Sequence, residues 1–171
     1  MNTNALSVAN YFIYLANRDK KPIQLLGLVK RVYIAHGFAL ALLGHGLLDS
    51  RFDKVEAWKY GPVIPSVYHS FKQFKKSDIT EPTVMLHQDD FGDYDFITPK
   101  LTDEKDIKIV EMVWKRYFNY TGSQLVTLTH RKGTPWGACY EEGKNCEIPD
   151  SFTALYYTKL VKIIAENGKV Q

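Results

Sequence analysis

Cysteine is scarce in this chain: 171 residues carry two, Cys139 and Cys146. They form neither a C-x-x-C pair nor a disulfide framework, and both are expected as free thiols. Charge is equally spare. Lys+Arg 22 against Asp+Glu 19 leaves +3, far from the concentrated basic surface of a committed nucleic-acid binder. The N-terminus MNTNALSVANYF lacks the basic start and continuous apolar core of a signal peptide, and no unbroken apolar run reaches the ~20 residues that span a bilayer. A cytoplasmic protein without a membrane segment is therefore expected. Also missing are a G-x-S-x-G elbow, an H-E-x-x-H helix, a P-loop and a G-x-G-x-x-G turn. The five histidines, His36, His45, His69, His87 and His130, include no pair at helical metal-site spacing. The composition points to no metal, no cofactor and no enzyme.

What the chain does have is an ordinary globular balance, 45% hydrophobic and 24% charged, and a length suited to one core. Residues 1–171 read as a single compact domain, with no repeat, low-complexity tract or linker to divide it. Ala5, Val8, Phe12 and Leu15 recur at steps of three and four behind the caps Asn2, Thr3 and Asn4, and this helix stops near Asn17 to Asp19. Leu25, Val29, Val32, His36, Ala39 and Leu43 predict a longer helix closed by Gly44, with His36 as a satisfied core histidine.

Further on, Val84 and Leu86 with Tyr94 and Phe96 suggest a small hairpin around an acidic turn of Asp89, Asp90, Asp93 and Asp95. That turn lacks EF-hand spacing. Thr102 is read as the cap of a helix burying Ile107, Val110, Trp114 and Tyr117. Thr121 and Gln124 have capping-box form, and Thr134-Pro135-Trp136 opens another helical turn. Asp150 or Ser151 should cap a last helix that turns Phe152, Leu155 or Tyr156, Leu160 and Ile163 inward. About six helices and a few short strands make a predominantly α, α+β domain.

The organising stretch is EAWKYGPVIPSVYHSFK, Glu56 to Lys72. An extended run through Val55, Ala57, Trp58 and Tyr60 meets a predicted corner at Gly61-Pro62. A helix then starts at Pro65, with Ile64 held extended before it. Rings beside stiff backbone lose little entropy on docking, and Trp and Tyr are favoured at binding hot spots. Trp58, Tyr60, Gly61, Pro62, Pro65, Tyr68, His130 and Trp136 are thus candidates for a partner-binding surface. The same residues equally suit a corner that merely packs.

Two other classes remain open. A DNA-binding regulator of a mobile element would use Arg51, Lys54, Lys72, Lys75, Lys76, Arg131 and Lys132. A thiol hydrolase would use Cys139 with His130 as base.

Three segments carry a family resemblance: Leu28, Lys30, Tyr33 and Gly37 on the second helix; Trp58, Tyr60, Gly61, Pro62, Pro65 and Tyr68; and Leu128, Thr129, His130, Pro135 and Trp136. Over roughly residues 20–140 the chain resembles the Panacea domain, the SocA-like group that includes phage-associated GepA-like proteins. The resemblance implies a bacterial or prophage-encoded antitoxin that contacts a cognate toxin protein, and an adaptor role toward the ClpXP protease. It brings no catalytic residues.

Overall fold

The computed structural model describes residues 3–168. The candidate cap Asn2 lies outside them. Asn4 caps the first helix, α1 (Ala5–Arg18), accepting from the Ser7 amide while the Ser7 hydroxyl accepts from the Asn4 amide. α2 (Leu25–Leu43) is the centre of the molecule and closes on Gly44. Its 19 residues hold an 18-residue window of mean hydropathy 1.5, which gives it the length and composition of a membrane span even though Lys30, Arg31 and His36 interrupt the apolar run. The reason is its place in the fold: α1, α4 (Glu104–Arg116), α5 (Gly122–Thr129) and α7 (Asp150–Asn167) all pack on it, so it is apolar nearly all round.

The strands are short. β1 (Glu56–Trp58) lies between β2 (Gly61–Val63) and β5 (Cys146–Glu147), both antiparallel to it. β3 (Met85–Gln88) and β4 (Tyr94–Ile97) form a separate two-stranded ribbon. With α3 (Pro65–Phe71) and α6 (Pro135–Cys139), seven α-helices lie among the described residues, one more than expected. The class is the expected one, α+β and predominantly α.

Two residues set how the layers meet. Gly37 lets α7 seat on α2, because a Cβ there would overlap the Tyr157 ring. Buried Asp53 accepts from the Ala5 amide at 2.9 Å, the Asp49 amide at 3.1 Å and Ser66 Oγ at 2.7 Å, joining α1, the loop after α2, and α3. His36 is fully buried and satisfied as expected. Its Nδ1 accepts from the Leu47 amide at 3.1 Å, so Nε2 carries the proton donated to Asp150 at 2.9 Å.

Two predicted helix starts move. Asp103, not Thr102, caps α4, accepting from the Lys105 and Asp106 amides. On α7, Pro149 is the flanking residue and Asp150 is already helical, its carboxylate turned to His36 rather than to a backbone amide. The inward face of α7 is also shifted. Thr153 and Tyr157 are buried while Phe152, Leu155 and Ile163 are exposed, with Tyr156, Leu160 and Ile164 partly covered. Thr153 is fully buried on this face, and a hydrophobicity pattern gives it no weight.

Candidate partner-binding surface

The bend in the organising stretch does not fall at Gly61-Pro62. Trp58 pairs with Gly61, so Lys59 and Tyr60 form a two-residue hairpin loop and Gly61-Pro62 opens the second strand. β2 is an edge strand, where a proline missing its amide donor is tolerated. Gly61 has φ of 104°, and an added Cβ would sit 3.2 Å from Lys30 Cε and 3.3 Å from His130 Cβ. Only glycine meets both demands. α3 does begin at Pro65, behind an extended Ile64.

The hairpin is supported from beneath by charge. Lys30, 1% exposed in the middle of α2, donates from Nζ to the Pro62 carbonyl at 2.8 Å. Burial pushes its ammonium down to about 7. Buried Glu56 accepts from the Trp58 indole at 2.7 Å and pairs with Lys54 at 3.2 Å, which fixes the Trp58 ring.

Around that frame the rings form a connected set. Trp58 and Tyr68 meet edge to face, centroids 4.9 Å apart at 66°. Trp136 donates its indole N–H to the Trp58 carbonyl at 2.7 Å, and its ring lies 3.9 Å from that of His130 and stacks on Tyr140 at 4.6 Å. Trp58, Tyr68, His130 and Trp136 are all half-buried, each with an edge in solvent. Tyr60 stands out from them on the loop, 62% exposed, with Lys59 over its ring at 5.5 Å. Gly61 and Pro62 lie under the surface, and Pro65 contributes by starting the helix that carries Tyr68. The structure therefore brings six predicted residues into one unit, sets Tyr60 at its tip, and leaves Pro65 to its local role.

Sequence reading passed over His69, Tyr140, Glu56 and Lys30 as parts of this unit. His69 lies 6.3 Å from Trp58. Tyr140 had a signal: it follows Trp136 by four residues, the spacing that brings helical side chains together. Lys30 had a place in the family resemblance but no signal of burial, since a lysine inside an apolar helix reads as solvated until the fold buries it.

The two alternative chemistries find different surroundings. Burial raises the Cys139 thiol above its ordinary range, the opposite of thiolate activation, and the His130 ring packs on Trp136. Of the seven candidate DNA-contacting cations, Arg51 is paired with Asp49 and Lys54 with Glu56. The acidic turn is organised by its own backbone: Asp89 Oδ1 accepts from the Phe91 and Asp93 amides, both at 2.9 Å.

Fold and surface together define a small α-rich module that presents a rigid, ring-lined hairpin on a buried central helix. The family model for the antitoxin SocA-like Panacea domain matches residues 28–137, which include most of α2, the hairpin, α3 and the His130 to Trp136 segment. The chain belongs to this family. Antitoxin SocA of Caulobacter vibrioides is 32% identical over 135 residues, covering 79% of this chain and 69% of that protein. No solved structure matches the chain.

Proposed function

We propose that this protein is an antitoxin that neutralises a cognate toxin protein by direct contact, with Tyr60 and the half-buried edges of Trp58, Tyr68, His130 and Trp136 as the contact surface. The observation that carries the reading is the placement of an exposed tyrosine on a two-residue loop whose neighbours are fixed by hydrogen bonds and a buried lysine. Such a surface is ordered before it meets a partner, so little entropy is lost on docking. Family membership supports the antitoxin role. A contact of standard size, ~800 Å² on each partner, is ample to cover the hairpin and its flanks.

The action is cytoplasmic in this reading and makes or breaks no covalent bond. The bound toxin is held inactive and is presented to the ClpXP protease, with this protein as adaptor. Co-expression with the product of the adjacent gene tests the first part. A neighbour that arrests growth alone, grows normally with this protein and co-purifies with it supports the proposal. A neighbour that is harmless alone, or that is rescued without forming a complex, contradicts it. Purified ClpXP then tests the adaptor step: toxin degradation should require this protein.

A further inference from the structure

The β3–β4 ribbon stands apart from the surface just described. Met85 and Ile97 are half-buried on one face of it. On the opposite face Leu86 pairs with Phe96 and Gln88 with Tyr94, and these apolar residues are open to solvent: Leu86 54%, Tyr94 66% and Phe96 69% exposed. Val84 just before β3 is 53% exposed and Phe91 at the tip 93%. An isolated two-stranded ribbon is marginal by itself. This one is held at its base by Asn10 of α1, which donates to the Thr83 and Pro99 carbonyls at 3.0 and 3.1 Å and accepts from the Thr83 amide at 2.9 Å. It is a built projection with an uncovered apolar face and, among the described residues, an outer edge on each strand without a strand neighbour.

Its charge says what suits it. Residues 84–97 contain Asp89, Asp90, Asp93 and Asp95 and no Lys or Arg. Taking those four charges from the chain's net +3 leaves +7 on the remainder, so the ribbon is a local acidic element on a basic body. Pairing two ribbons from two copies would set like charges together, and a ribbon on another copy's body makes a contact that does not close. A basic partner segment meets both the apolar face and the acidic rim.

We propose that the β3–β4 ribbon is a docking arm for an extended, Lys- or Arg-rich segment of a different protein, with apolar side chains at alternate positions. The proposal does not depend on the Trp58–Trp136 surface binding anything. The test uses the full chain and a fluorescein-labelled octapeptide of alternating lysine and valine, with the glutamate–valine octapeptide as its counterpart, read by anisotropy. The lysine peptide should bind at least tenfold more tightly than the glutamate peptide, and less tightly as salt rises. Leu86→Ser with Phe96→Ser should weaken it at least tenfold. Asp90→Asn with Asp93→Asn should weaken it several-fold and flatten the salt dependence, while Tyr60→Ala leaves it unchanged. The aspartate pair carries the test if the serine pair lowers the melting temperature. Equal binding of the two peptides, insensitivity to the aspartate pair, or sedimentation of the unliganded protein as an arm-dependent dimer would overturn the proposal.

Discussion

Lys30 sets the tone at the scale of single residues. An ammonium with one partner, 1% exposed, is held where its charged form is costly, so its proton affinity falls on folding. The sign of the consequence follows from proton counts. Between about 7 in the folded protein and the unfolded value of 10.5, the unfolded chain holds the proton more often, so stability should rise with pH. From pH 7 to 8.5 the gain should be on the order of 1–2 kcal/mol by denaturant titration, and Lys30→Met should abolish it. A flat profile in the wild-type protein would place the lysine in solvent. Asp53 is the complementary case, an acceptor of three hydrogen bonds that join two helices and a loop. Asp53→Ala strands those donors and should cost about 3 kcal/mol in the same assay, with Asp53→Asn recovering part of it.

Elements show where local chemistry ruled and where tertiary packing overrode it. The caps at Asn4 and Thr121, the stop at Gly44, the start at Pro65 and the β3–β4 hairpin were all readable, because each rests on chemistry within a few residues. The bend was misplaced by two residues because Gly-Pro is so strong a breaker that it masked the Lys59-Tyr60 loop. The buried face of α7 was misphased for a different reason: Leu155 and Ile163 are more apolar than Thr153, but the Tyr157 ring seats over Gly37 of α2 and carries Thr153, four residues earlier, to the same inward face. Strand β5 was invisible, two residues whose order comes from pairing with β1. Of the surface, the rings at Trp58, Tyr68 and Trp136 were legible from their types and turns; the burial of the lysine beneath them was not.

Two expectations belong to this scale. Leu155→Ser should change stability by less than about 0.5 kcal/mol, whereas Tyr157→Ala should cost about 3–5 kcal/mol. Equal costs would restore the sequence-based phase of α7. Gly61→Ala should destabilise by about 1–3 kcal/mol, combining left-handed strain with crowding against Lys30 and His130. Thermal melting of the three variants separates these outcomes.

For the molecule as a whole, the family and the fold point the same way. The described residues put their chemistry into rigidity: a central apolar helix, a lysine-braced hairpin, and rings joined by an indole-to-carbonyl hydrogen bond. That rigidity suits the contact surface proposed above, and family membership supports the antitoxin role. The most direct measurement is calorimetric titration of the growth-arresting product of the adjacent gene with wild-type protein and with Tyr60→Ala, whose side chain is too exposed to carry the fold. The account predicts at least a tenfold loss of affinity, about 1.4 kcal/mol or more, at an unchanged melting temperature. Undiminished affinity in the Tyr60→Ala protein would contradict it.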